Sequence, residues 1–318
     1  MDTPGRNWQH PRSISTVPEN RLMPTPNDPP ATPAFEILSP DQQCVPLVFN
    51  SPHSGRVYPE SFLAASRLDP WTIRCSEDTY VDELFASAVG QGAPLLRANF
   101  PRAWLDVNRE PYELDPKMFS GRLPDFANVR SVRVAGGLGT IARIVSESEE
   151  IYDRPLDVAE ALERIEAYYK PYHQALHDLV ARTRSAFGLA VLVDCHSMPS
   201  ATRGGAGRLR PDIVIGDRYG TSCAVELTDM AAQILTQLGY SVSRNKPYAG
   251  GHITEHYGRP CQGVHALQIE VKRCLYMDER SLEPTAGFEP LRKDLSIFVQ
   301  GLAGAIGSGL LSLPDAAE

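Results

Sequence analysis

No apolar run in this 318-residue sequence is long enough to cross a membrane. Its first residues lack the apolar core that a secretory signal needs, so a cytoplasmic location is expected. Cysteine pairs are missing too. Cys44, Cys75, Cys195, Cys223, Cys261 and Cys274 are scattered with no Cys-x-x-Cys spacing, which argues for reduced thiols and against a disulfide framework. Positive charge is in deficit: 31 Lys and Arg face 39 Asp and Glu, a net charge of −8. That argues against nucleic acid as the main partner but leaves room for a small anion held by a few local arginines. Three signatures are also absent. Gly204, Gly205 and Gly207 are not followed by the Lys-Ser/Thr pair of a phosphate loop, and there is no Gly-x-Ser-x-Gly elbow. His173 and His177 have helical spacing but lack the glutamate of His-Glu-x-x-His, so they read as a helix face.

What is present is an ordinary globular composition, 42% hydrophobic and 22% charged. Residues 1–34 are rich in Pro, Asn, Thr and Arg and read as a flexible extension, with an ordered domain over 35–318. Strands are expected at Pro46–Asn50, Pro94–Ala98, Val191–Val193, Asp212–Ile215, Tyr240–Arg244 and 264–271, with shorter pieces at Val129–Val134 and Ile141–Val145. A helix capped by Ser76 should carry Val81, Leu84, Phe85, Ala88 and Val89 on one face. A long helical segment spans Leu156–Phe187, with Pro171 kinking or dividing it. A helix capped by Ser222 should end at Gly239, and a last helix should run from about Pro290 to Ile306, with 247–263 as loop. Strands alternating with helices imply one α/β domain with a mixed, mostly parallel sheet.

The chemistry gathers where strands end. The run Val-Leu-Val at 191–193 stops abruptly in Asp194, Cys195, His196 and Ser197. In an open α/β sheet, functional groups collect beyond the carboxyl ends of the strands. His53 sits in a Pro-His-Ser-Gly turn directly after another strand; it suits a metal ligand or a histidine bonded to its own loop. Glu77 and Asp78 open a helix, either as acids complementing the dipole or as a carboxylate ligand, with Asp82 one turn on. Two imidazoles and one carboxylate leave a position open on zinc. Asp194 shares a strand face with His196 and can orient an imidazole or stand as a satisfied strand-end acid; Cys195 faces the other way. Glu270 lies on the same face of its strand as Gln268 and Lys272. It reads as an ion-pair partner of Lys272 or Arg273, or as a general base. Arg102, Asn108 and Arg109 offer a fork for an acidic substrate group, or structural pairing with Asp106 or Glu110. His252, His256 and His265 lie near Glu270 in sequence and are candidate site neighbours.

Taken together, these segments resemble the N-formylglutamate amidohydrolase family from about Phe35 to near the C-terminus. The resemblance rests on Ser51-Pro52-His53-Ser54-Gly55 with Tyr58-Pro59, Glu77-Asp78-Thr79 leading to Val81-Asp82-Glu83-Leu84, and Asp106-Val107-Asn108-Arg109. It continues in Asp194 to Pro199, Gly216-Asp217, Gln268 to Val271 and Tyr276 to Glu279. The family is similar to zinc carboxypeptidases. That resemblance implies one Zn2+ held by His53 and His196, Glu270 as general base, Asn108 and Arg109 as substrate anchor, and Arg102 near the oxyanion. Zinc carboxypeptidases use His-x-x-Glu, but the third residue after His53 is Arg56. The carboxylate ligand must then come from elsewhere, and Asp78 is taken over Glu77. Tyr248 and Tyr257 are further candidate substrate contacts. The implied activity is hydrolysis of N-formyl-L-glutamate to formate and L-glutamate, in histidine degradation. Alternatives are another N-acyl amino acid or peptide-like amide, or a catalytically silent carboxylate-binding protein.

Overall fold

The computed structural model describes residues 32–145, 149–200 and 211–311. The extension read at 1–34 falls, apart from its last three residues, outside them. So do His10 and the glycines at 204, 205 and 207.

Among the described residues the strands are β1 (Phe35–Leu38), β2 (Leu47–Ser51), β3 (Leu95–Ala98), β4 (Ile144–Val145), β5 (Glu149–Glu150), β6 (Ala190–Met198), β7 (Ile213–Gly216), β8 (Val242–Arg244) and β9 (Val264–Lys272). Seven of them form one sheet in the order β1-β3-β2-β6-β9-β7-β8, and β4 pairs only with β5. β3, β2, β6 and β9 run parallel; β1 is antiparallel at one edge, and β7 with β8 runs antiparallel to β9 at the other. The sheet is therefore mixed and mostly parallel, as expected.

Its central strands are continuously apolar because both faces are covered. Leu47, Phe49, Val191, Val193, Leu267, Ile269 and Val271 pack in one buried cluster with Leu227, Leu235, Leu295 and Phe298 of the helices Val225–Gln237 and Phe288–Gly307. Val48, Ala190, Leu192 and Ala266 face the other way, against Tyr169, Tyr172, Leu176 and Leu179. Cys195 lies wholly buried in the first cluster, opposite His196.

Several local expectations are corrected. Ser76 caps no helix: it ends the 3-10 turn Thr72–Ser76, and the apolar stripe that follows is split into the single turns Val81–Leu84 and Ser87–Gly90. Tyr80, at the entry to the first turn, has φ 66, which interrupts the helix. The strand expected at Val129–Val134 gives way to a helical turn, Val132–Ala135, capped by Ser131. Pro171 does not divide its helix. The wider π turn Ile165–Tyr169 joins Val158–Arg164 to Lys170–Phe187, and Pro171 follows that change of hydrogen-bond register. Ser222 is not a cap; its hydroxyl donates to the Ala266 carbonyl. The 247–263 stretch contains a short helix, His252–Tyr257.

Two glycines give opposite predictions. A Cβ on Gly55, in the turn carrying His53, would lie 2.1 Å from the Phe100 carbonyl oxygen and 2.6 Å from Asn99 C, both backbone. Gly304 is an exposed residue inside the last helix, with nothing within 4 Å of a Cβ. Gly55→Ala is expected to destabilise by roughly 1–3 kcal/mol or more, and Gly304→Ala to stabilise by up to about 1 kcal/mol. Urea denaturation of both variants checks the pair; equal midpoints would contradict the close approach at Gly55.

Candidate metal centre and its cavity

Parallel pairing of β6 and β9 sets Asp194 beside Gln268 and, two residues on, His196 beside Glu270. β2 adds Asn50 beside Asp194. These residues continue the face on which Val48, Leu192 and Ala266 are apolar, so one sheet face changes from core to polar site along its length. The turn after β2 delivers His53, and the segment after β3 delivers Arg102, Asp106, Asn108 and Arg109 to the same end.

His53, Asp78 and His196 are buried and converge, with one ligand atom from each lying within 4.8 Å of the others. His196 Nδ1 is 3.0 Å and His53 Nδ1 is 3.3 Å from Asp78 Oδ2. Each ring's other nitrogen meets a buried carboxylate: His53 Nε2 to Asp106 Oδ1 at 2.8 Å, and His196 Nε2 to Asp194 Oδ2 at 2.9 Å. A carboxylate only accepts, so with a cation at the centre the proton belongs on Nε2 and Nδ1 offers its lone pair inward. His53 Nδ1 is buried and makes no hydrogen bond among the described residues. Two nitrogen lone pairs and a carboxylate oxygen turned toward one another repel unless a cation or additional protons lie among them. With metal–ligand bonds of about 2.0–2.2 Å, tetrahedral donors sit roughly 3.3–3.6 Å apart. The donor types and spacing therefore fit a divalent metal.

Asp78 and Glu77 are separated by their partners. Glu77 accepts from Tyr58 Oη at 2.6 Å, from Arg74 Nε at 3.0 Å and from Thr79 Oγ1 at 3.1 Å, and is turned away from the histidines. Asp78 Oδ1 accepts from Ser197 Oγ at 3.2 Å and Arg273 Nη2 at 3.3 Å, leaving Oδ2 to the imidazoles. Burial alone would raise the Asp78 carboxyl, but His196 and His53 outweigh it and hold it well below the usual range. Asp82 is bound to Arg97 instead, at 3.0 Å.

Around this group lies a cavity of about 960 Å³, lined among others by Arg102, Asn108, Arg109, Tyr248, Gln268 and Glu270. Burial pushes the Glu270 carboxyl up to about 8, against the pull of His196. Gln268 Nε2 donates to Glu270 Oε1 at 2.9 Å. Lys272 pairs with Asp212 rather than with Glu270. Arg102 donates to Asp106 Oδ2 at 2.9 Å. Arg109 is fixed by the carbonyls of Leu138 (2.8 Å) and Asn108 (2.7 Å).

The Asn108 side chain is engaged inside the protein. Its Oδ1 accepts from Ile253 N at 2.8 Å, and its Nδ2 lies 3.4 Å from Asp194 Oδ2 and 3.1 Å from His196 Nε2. Tyr257 is not brought to the cavity: it packs in the core with its hydroxyl on the His173 carbonyl, 3.0 Å away. His252, His256 and His265 are likewise absent from the lining.

Two contributors escaped the sequence reading as site residues. Asp106 is the partner of His53, held ionised against burial by Arg109, His53 and Arg102. Arg273 ties Asp78 to the carbonyls of Cys75 (2.9 Å) and Glu77 (2.5 Å). Their proximity to His53 and Asp78 spans long sequence separations, so only the neighbouring Asn108-Arg109 and Glu270 marked their segments. The contrast between the two acids yields a prediction. Elemental analysis should find bound metal lost in Asp78→Asn but retained in Glu77→Gln, which would lose thermal stability instead. Retention in Asp78→Asn would remove that carboxylate from the centre.

The N-formylglutamate amidohydrolase family model matches residues 45–277. A Pseudomonas aeruginosa N-formylglutamate deformylase is 32% identical over 251 residues, covering 77% of this chain and 87% of that protein. A protein of the same description from Pseudomonas putida is 27% identical over 278 residues, covering 85% and 96%. The crystal structure of an N-formylglutamate amidohydrolase from Ralstonia eutropha JMP134 superposes with a TM-score of 0.82 at 37% identity, covering 87% of this chain and 99% of that one. With a family match spanning most of its length and a relative of that identity and coverage, the chain belongs to the N-formylglutamate amidohydrolase family.

Proposed function

We propose that this protein is a zinc-dependent amidohydrolase that converts N-formyl-L-glutamate and water to formate and L-glutamate. The observation that carries the reading is the pairing of a fitted His53–Asp78–His196 donor set with a buried glutamate in register beside it. Its relatives' descriptions supply the substrate.

His53, Asp78 and His196 would hold the ion. Zinc there supplies Lewis acidity toward the formyl carbonyl and lowers the pKa of water. Asp106 and Asp194 hold the imidazoles by Nε2 and keep their Nδ1 atoms directed inward. Glu270 takes one proton from the attacking water at its carboxylate and returns it to the nitrogen of the departing glutamate; the second leaves the formic acid oxygen for the same amine, which gives formate and the ammonium group of L-glutamate. Gln268 holds Glu270 Oε1, which steadies the carboxylate between those two transfers. Arg102 faces the developing oxyanion, a charge best stabilised by a donor already in place. Arg109 receives a substrate carboxylate. Asn108 works behind it, positioning His196 and Asp194, and Tyr248 forms part of the cavity wall.

The reading is tested by following formate release from N-formyl-L-glutamate, with N-acetyl-L-glutamate as comparison, in zinc-loaded protein. Fast formate release with little deacetylation is the expected result; metal-replete protein that releases no formate would overturn the substrate. Glu270→Gln is expected to keep its metal and lose roughly 10²- to 10⁴-fold in kcat. The pH profile follows from the same residue. Glu270 must be ionised to accept a proton, so kcat/KM should rise with pH. Burial lifts its carboxyl toward about 8, from an ordinary 4.5, and a divalent cation pulls it back. The acid limb is therefore expected between those values, and a flat profile across that interval would remove Glu270 as the base.

A further inference from the structure

The cavity holds more positive charge than its metal centre uses. Arg102 is bound to Asp106, and Arg273 to Asp78, Ser197 and two backbone carbonyls. Arg218 also lines the cavity, but it pairs with Glu255 at 2.7 Å and reaches the Gly250 carbonyl. Arg133 differs from all of these. Both it and Arg280 line the cavity with no side-chain hydrogen bond among the described residues, and of the two it is Arg133 whose backbone is tied to Arg109 through Leu138. Its ion-pair contact there is long, 3.9 Å to Glu113 Oε2, an oxygen that also faces Glu110 N at 3.3 Å.

The backbone places Arg133 beside Arg109. Leu138 N donates to the Arg133 carbonyl at 2.8 Å, and the Leu138 carbonyl receives Arg109 Nε at 2.8 Å. One short loop thus builds both residues into the same wall. Arg109 is clamped by backbone carbonyls on Nε and Nη1, while its Nη2 has only a 3.4 Å contact with Asp106 Oδ2. Burial disfavours the cationic form of Arg109, Asp106 supports it, and Arg102 and Arg133 act against it, so the second guanidinium lies near enough to be felt, while its own acid, Glu113, is 3.9 Å away. Such like-charge pairing is unfavourable until an anion lies against it. Arginine's planar fork suits a carboxylate in particular.

We propose that Arg133 is a specificity residue: it receives the second carboxylate of a dicarboxylic N-acyl amino acid whose first carboxylate is held by Arg109. The inference rests on the proposed hydrolysis of N-formyl-L-glutamate and adds how a dianionic substrate is told from a monoanionic one. Truncating a charged partner of a carboxylate typically loses one to two powers of ten in affinity.

The test compares N-formyl-L-glutamate with N-formyl-L-glutamine, which has the same length and one fewer charge. The ratio of their kcat/KM values is expected to fall roughly 10- to 100-fold in Arg133→Gln, mainly through KM for the dianion, and to recover in part in Arg133→Lys. Arg280→Gln, at an exposed arginine that also lines the cavity, should keep the wild-type ratio. An equal loss on both substrates, no loss on either, or a collapse of the ratio in Arg280→Gln instead would each overturn the assignment. Calorimetry with L-glutamate and L-glutamine separates this inference from the reaction itself. If the zinc-loaded protein releases no formate but prefers L-glutamate through Arg133, the proposed reaction fails and the carboxylate site stands. If it binds both amino acids equally, the carboxylate site fails.

Discussion

The site depends on the register between β6 and β9. Because the strands are parallel and paired without a slip, His196 and Glu270 stand side by side, with Asp194 and Gln268 two residues below them. Side chains alternate with a period of two, so a one-residue slip of either strand would put its polar groups into the apolar cluster on the other face. That register is secured from beneath. Leu192 and Ala266 lie on the same face as the polar residues, and Val193 and Leu267 pack on the opposite one. Core packing and placement of the site are thus the same geometric fact, expressed at different heights along two strands.

Buried charge is the second constraint. Asp78, Asp106, Asp194 and Glu270 are removed from water at one end of the sheet, where an unpaired carboxylate is costly. The fold distributes partners with a definite hierarchy. Asp106 and Asp194 each face an imidazole, and Asp78 is anchored on one oxygen by Arg273 and Ser197. Among the described residues Glu270 receives a single hydrogen bond, from the neutral amide of Gln268, and burial raises its carboxyl to about 8. Acids of the same type are thereby given different tasks by their surroundings.

Much of the frame was legible from periodicity. The apolar runs at 47–49 and 191–193, and the alternation of Leu267, Ile269 and Val271 with Gln268 and Glu270, marked the central strands, whose apolar residues are covered on both faces. The regions that misled are those where one backbone feature overrides the side-chain pattern. The left-handed Tyr80 breaks the apolar stripe of 81–89 into two turns. A π turn ahead of Pro171 lets the helix pass a residue that would otherwise divide it. A helical turn stands at 132–135, where β-branched residues suggested a strand.

By itself the sequence determined the α/β frame and the residue types gathered at strand ends. Alternation and apolar run length depend on local chain geometry, which the order of residues carries directly. It left open which acid meets the histidines, which residues orient their rings, and which aromatic side chains reach the cavity. Tertiary structure decided these. Glu77 and Asp78 are neighbours in sequence, yet one is taken by Tyr58, Arg74 and Thr79 and the other is turned toward His53 and His196. Asp106 finds His53, and Tyr257 is drawn into the core by His173. Those outcomes rest on contacts between segments far apart in the chain, and hydrogen bonds of that kind exist only once the sheet has brought the segments together.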